Sequence, residues 1–154
     1  MTTASARTDM ATALNRAAAT LDELRARAKD AHWNVSGTAN FYSLHKLFDD
    51  VATEANALTD VVAERVRQLR HPVNVKLAGA SHLRETDVFF AGRREARAYV
   101  RALGVDARDT QHLLSAIATE ASATGDEATN ALLSDAAARI SKLEWMLRSS
   151  MEPL

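Results

Sequence analysis

At 154 residues, 47% hydrophobic and 25% charged with a formal net charge of −1, the chain has the size and balance of one globular domain. That composition is too apolar and too weakly charged for a disordered chain, and no run of 18 apolar residues is available to span a membrane. The absence of cysteine excludes disulfides, thiolate metal sites and a thiol nucleophile, so any bound metal must rest on His, Asp and Glu.

Near-neutrality argues against binding a polyanion through overall charge. The first seven residues carry one basic residue, Arg7, and no apolar segment after it, so no signal peptide is expected and the protein is expected to be cytoplasmic. Alanine accounts for 31 residues against 5 Gly and 2 Pro, which points to helix.

Apolar or small residues recur at Met10, Leu14, Ala17, Leu21, Leu24, Ala28, Ala31 and Val35. This three–four spacing predicts a first helix from Thr8 or Asp9, preceded by a short tail over 1–8 and ended by Gly37. Asn40 is the expected N-cap of a second helix, whose stripe runs Leu44, Leu47, Phe48, Val51, Ala55, Leu58, Val62, Val66 and Leu69 up to Pro72. From 70 to about 92 the register is lost, which predicts a long crossover containing a short helix. A third stripe (Ala96, Val100, Leu103, Ala107, Thr110, Leu114, Ile117, Ala121) passes Gly104 without a change of phase. Thr124-Gly125-Asp126 reads as turn and cap, and the last stripe is Thr129, Leu133, Ala136, Ile140, Leu143 and Leu147, with a short tail over 149–154. Four long helices with one long connection in the middle predict an all-α, ferritin-like four-helix bundle forming a single domain over 1–154.

The second helix also carries a polar stripe. With His45 at 0° and about 100° per residue, Asp49 falls near 40°, Asp60 near 60° and Glu64 near 100°, whereas the apolar stripe occupies about 200° to 300°. On the first helix, His32 lies at the edge of the apolar stripe. Imidazole and carboxylate are ligands that iron, manganese and zinc accept without thiolates, and each i, i+4 pair suits chelation. Asp49 and Asp60 are about 16 Å apart along the helix axis, so one metal cannot reach both pairs within one helix. A shared site therefore requires two chains related by a two-fold axis, with His45 and Asp49 of one opposite Asp60 and Glu64 of the other. The alternative is an ordinary solvated face, and periodicity alone leaves both open.

The segment His32-Trp-Asn-Val-Ser-Gly-Thr-Ala-Asn-Phe-Tyr-Ser-Leu-His45, its continuation His45-Lys-Leu-Phe-Asp49-Asp, and Asp60-Val-Val-Ala-Glu64-Arg-Val-Arg-Gln-Leu69 resemble the signature of the Dps mini-ferritins. The likeness extends to Leu143-Glu-Trp145. It implies an intersubunit di-iron ferroxidase centre at a two-fold interface, with metal-binding and catalytic residues His32, His45 and Asp49 from one subunit and Asp60 and Glu64 from its mate. Glu64 is then the bridging ligand, with Asp60 and His32 on one iron and His45 and Asp49 on the other. The resemblance further implies a hollow homododecamer that oxidises Fe(II) with hydrogen peroxide, stores the ferric mineral, and protects the cell from oxidative stress. The Thr38-Ala39 stretch is one residue longer than that signature usually has. No Glu-x-x-His occurs anywhere in the chain, which argues against a site inside one bundle.

Further expectations are weaker in their chemistry. Asp50 and Glu54 are candidates for mineral nucleation, and Asp126 and Glu127 for an entry pore, although acids at a helix start also suit the macrodipole. Trp33 and Tyr42 are read as packing residues before oxidant traps, and His71, His82 and His112 as ordinary polar residues. DNA coating is the alternative function, but the tails hold few basic residues. The Arg93, Arg94, Arg97 and Arg101 cluster is read as a subunit interface before a DNA patch. A helical oligomer with a vestigial ligand set is the third reading.

Overall fold

The computed structural model describes residues 4–76, 81–89 and 95–151. Four helices carry the chain: α1 (Ala4–Asn34), α2 (Phe41–Gln68), α3 (Ala96–Ala123) and α4 (Glu127–Ser149). Helices α1 and α2 form one closely packed antiparallel hairpin and α3 and α4 the other, with lighter α1–α3 and α2–α4 contacts closing the bundle. The predicted stripes are the core. All eight positions named for α1 and its exit are buried, as are those of α4, while Leu69 and Ala96 at stripe ends are only partly covered. Alanines at 11, 17, 18, 28 and 31 leave little side chain on the buried face of α1, so neighbouring backbones approach closely. The largest buried side chains, Phe48 and Tyr99, meet edge-on at 6.4 Å, tying the two hairpins together.

Several boundaries differ from the expectation. Helix α1 begins at Ala4, so most of the predicted tail is helical; Thr8 uses its hydroxyl on the Ala4 carbonyl within the first turns. Asn40 occupies the N-cap position of α2, but its side chain makes no capping bond. Thr38 organises that turn instead, accepting from the Asn40 amide at 3.3 Å and from the Phe41 amide through its carbonyl at 3.1 Å. Gly37 has φ +68° and Gly125 φ +77°, conformations that suit glycine at these two turns. The expected crossover helix is, among the described residues, a single 3-10 turn at Asp87–Phe89.

The crossover is strapped along one face of α1. Asn15 donates to the Pro72 carbonyl and accepts from the Asn74 amide, Lys76 pairs with Asp22, and Thr20 accepts from the His82 amide. Arg16 donates to His82 Nδ1 at 2.8 Å, which gives His82 a structural role. Deeper in, Arg27 donates to both oxygens of Asp106 at 3.1 and 3.0 Å, to Glu23 at 2.8 Å and to the Arg84 carbonyl at 2.8 Å, and lies 5.5 Å from the Phe89 ring. One buried guanidinium thus joins α1, α3 and the crossover. Burial pushes the Asp106 carboxyl up to about 6, against the opposing pull of Arg27.

Candidate metal centre

His32, on the last turn of α1, and His45, on the second turn of α2, are brought together by the turn between the helices. Their rings stack with centroids 3.7 Å apart at 23°. His32 Nδ1 bonds the His45 carbonyl at 2.8 Å, and His45 Nδ1 bonds the His32 carbonyl at 2.9 Å. A carbonyl only accepts, so both Nδ1 atoms carry the proton and, in the neutral rings, both Nε2 atoms hold a free lone pair. This reciprocal clamp fixes the tautomer that presents Nε2 to a metal, and it holds each ring by the backbone of the other helix. The longer Thr38-Ala39 turn has not separated the two histidines.

Asp49 lies one turn along α2 from His45 and is partly exposed. Its carboxylate accepts from Lys29 Nζ at 2.8 Å, and Lys29 in turn sits 5.5 Å from the Trp33 ring. The Lys29 hydrogen bond holds the Asp49 carboxyl below its ordinary value, with the charge of Lys29 acting in the same direction. Lys29 escaped the sequence reading, yet it stands three residues before His32 on α1, a spacing that faces both toward the same neighbour.

Asp60 and Glu64 are exposed on the same outward side of α2 and make no hydrogen bond or ion pair among the described residues. The structure therefore brings His32 and His45 into contact, places Asp49 one helical turn along α2 from His45, and leaves Asp60 and Glu64 further along the helix. No cluster of three or more His, Asp or Glu side chains able to hold a metal occurs among the described residues of one chain. The surrounding face is unusually apolar: Trp33 is 70% exposed, Tyr42 75% and Phe41 42%, and Val61 stands exposed between Asp60 and Glu64. Solvation alone does not favour three exposed aromatic rings beside a histidine pair.

The residues considered for pore and nucleation have other partners. Asp126 caps α4, accepting from the Thr129 amide at 3.1 Å and hydroxyl at 2.6 Å, and pairs with Arg65 at 2.7 Å. Burial pulls this carboxyl upward, but Thr129 and Arg65 outweigh it and hold it below its ordinary value. The cap reading therefore accounts for Asp126, while Glu127 remains exposed and accepts from Asn130. Asp126→Ala is expected to lower stability by about 1–2 kcal/mol. Because the folded carboxyl is held low, this contribution is present above the ordinary aspartate range and lost as pH falls through it. Urea unfolding of both proteins at pH 7 and pH 3 checks this: the difference between them should shrink in acid.

On α2, Asp50 pairs with Lys46 at 2.8 Å and Glu54 pairs with Arg139, so both nucleation candidates are partly neutralised. Arg93 and Arg94 lie outside the described residues, while Arg97 and Arg101 are exposed on α3. His112 is likewise exposed.

A family model described as a ferritin-like domain matches residues 11–154. A "DNA protection during starvation protein" from Brevibacillus brevis is 33% identical over 144 residues, 93% of this chain and 95% of that protein. The crystal structure of a Dps protein from Bacillus brevis matches with a TM-score of 0.86 at 31% identity, covering 99% of this chain and all of that one. A Dps protein from Vibrio cholerae O1, described as a member of a broad superfamily of ferritin-like diiron-carboxylate proteins, matches with a TM-score of 0.83 at 27% identity over 95% of this chain and 91% of that one.

Proposed function

Because the chain belongs to the ferritin-like domain family, among the Dps proteins, we propose that it is a ferroxidase that oxidises Fe(II) and stores the ferric product inside a homo-oligomeric shell. The observation that carries this reading is the His32–His45 clamp, which turns two Nε2 atoms toward use as ligands beside Asp49 while Asp60 and Glu64 stand ligand-ready on the same outward face. Two antiparallel copies of α2 across a two-fold axis complete two equivalent sites, each using His32, His45 and Asp49 of one subunit and Asp60 and Glu64 of the other. Glu64 bridges the two irons, Asp60 and His32 serve the first, and His45 and Asp49 serve the second.

Carboxylates stabilise Fe(III) over Fe(II), so three carboxylates per site favour oxidation. With hydrogen peroxide, two Fe(II) each give one electron, the O–O bond breaks, and two Fe(III) and two hydroxides result. Pairing the irons keeps both electrons on one peroxide and avoids release of hydroxyl radical. Trp33, Tyr42, Phe41 and Val61 are the apolar surface such an interface covers, consistent with their exposure in a single chain. A dodecamer built from these dimers supplies the storage cavity. The DNA-coating alternative rests on the names of the relatives. The test is addition of Fe(II) and peroxide to the purified protein. Rapid ferric absorbance with iron retained on a particle of about twelve subunits is expected, and a shell of that size that takes up no iron overturns the proposal.

Lys29 competes with a metal for Asp49 in this scheme, because its ammonium group already holds Oδ1. The pair is partly exposed and is worth about 1 kcal/mol or less. Lys29→Met is therefore expected to bind Co(II) up to about fivefold more tightly at the His45–Asp49 position, seen by calorimetric titration of the assembled protein.

A further inference from the structure

The turn between α1 and α2 delivers a third ring to the histidine pair. Phe41 opens α2, with its amide bonded to the Thr38 carbonyl at 3.1 Å, and stands one helical turn before His45. Side chains four apart on a helix are neighbours, and the Phe41 ring stacks on His45 with centroids 5.3 Å apart at 30°. The same imidazole stacks on His32 at 3.7 Å and 23°. Phe41 and His32 make no ring contact with each other among the described residues, so the two rings flank His45 from different sides.

Core packing does not account for Phe41. Its ring is 42% exposed, and it belongs neither to the buried core nor to the partly buried residues packed against that core. Among the described residues its ring contact is with His45. That contact adds what the backbone clamp lacks. The bond between His45 Nδ1 and the His32 carbonyl fixes which nitrogen carries the proton. A single bond still lets the ring swing, because the χ2 torsion of histidine has only a broad preference of its own. Rings on two sides stop the swing and leave Nε2, which makes no bond among the described residues, at the free edge.

We propose that Phe41 is a positioning residue of the metal centre, holding the His45 ring at the angle from which Nε2 meets the metal. The proposal rests on the metal centre proposed for this face and extends it to a residue that brings no ligand atom. A ligand fixed in one orientation before the metal arrives loses less freedom on binding. Phe41 therefore acts on metal affinity: without its ring the Fe(II) concentration for half-maximal oxidation rises, while the rate at saturation changes little.

The experiment compares the assembled wild-type protein with Phe41→Leu, which keeps apolar bulk without a ring, and Phe41→Tyr, which keeps the ring. Light scattering establishes that the three particles have the same size. In the metal-free proteins, histidine nitrogen NMR is expected to show one Nδ1–H tautomer for His45 in wild type and Phe41→Tyr, and a mixture of tautomers in Phe41→Leu. Co(II) titration followed by visible absorption is expected to show affinity about three- to tenfold lower in Phe41→Leu and restored in Phe41→Tyr. Phe41→Leu protein with wild-type Co(II) affinity or a wild-type His45 spectrum overturns the proposal. So does a smaller Phe41→Leu particle, which assigns the ring to subunit contact, or a loss that Phe41→Tyr does not restore. Wild-type protein that binds no Co(II) overturns the metal centre itself, and the proposal falls with it.

Discussion

Replacing Asp60 and Glu64 together with alanine is expected to lower the initial rate of Fe(II) oxidation by about 100-fold or more while leaving the fold in place, on the reasoning that losing ligands costs at least what losing their supporting groups costs. Both side chains are exposed and make no bond among the described residues, so unfolding free energy should move by about 0.5 kcal/mol or less. Stopped-flow ferric absorbance and thermal unfolding by circular dichroism report the two halves separately. The decisive arm mixes subunits. Protein carrying Asp60→Ala/Glu64→Ala is unfolded and refolded together with protein carrying His32→Ala/His45→Ala/Asp49→Ala. In a mixed dimer one site collects every defect and the other collects none, so activity should return although each parent is inactive. Failure of the mixture to recover activity would overturn a site shared between subunits, whatever the single variants do.

The second large effect concerns the buried pair. Arg27→Ala is expected to destabilise the protein by about 3–5 kcal/mol, since it strands Asp106 without its counter-charge and removes the bond to the Arg84 carbonyl. For a chain of this size that corresponds to a fall of about 10 °C or more in Tm. Asp106→Asn should be far milder at neutral pH. The folded carboxyl is raised to about 6 from an ordinary value of 3.8, so between about 4 and 6 the native state holds more protons than the unfolded state. Stability contributed by this group is therefore greatest below that window, declines as pH rises through it, and is level above. The stability of wild type relative to Asp106→Asn should follow that decline, which urea unfolding at pH 4, 5, 6 and 7 measures. Hydrogen exchange at Arg84–Phe89 should quicken in Arg27→Ala, because the same guanidinium holds that stretch of the crossover.

The two effects differ in how visible they are before folding. His45, Asp49, Asp60 and Glu64 could be placed on one face from the helical period alone, because they sit on a single helix whose apolar stripe sets the phase. The axial distance between Asp49 and Asp60 then argued for two chains without any coordinates. By contrast, Arg27 and Asp106 are 79 residues apart, and nothing local marks either as the partner of the other. Lys29 was missed for the same reason, since its partner Asp49 lies 20 residues on, across a turn. Asn40 takes the N-cap position that the sequence predicts, while the side-chain hydrogen bond of that turn comes from Thr38.

The sequence by itself determined four helices, their buried faces and the outward stripe of His, Asp and Glu, because the 3.6-residue period links each position to a face without reference to the rest of the chain. Only the tertiary structure decided how the two histidines hold each other's carbonyls, which cation sits on Asp49, and how Arg27 fastens α1, α3 and the crossover. These depend on directions of side chains from elements distant in sequence, and no periodicity encodes such a meeting. The charge of −1 is likewise a sum that conceals its parts: carboxylates and His45 on the outer face of α2, and exposed arginines where α1 begins and α2 finishes.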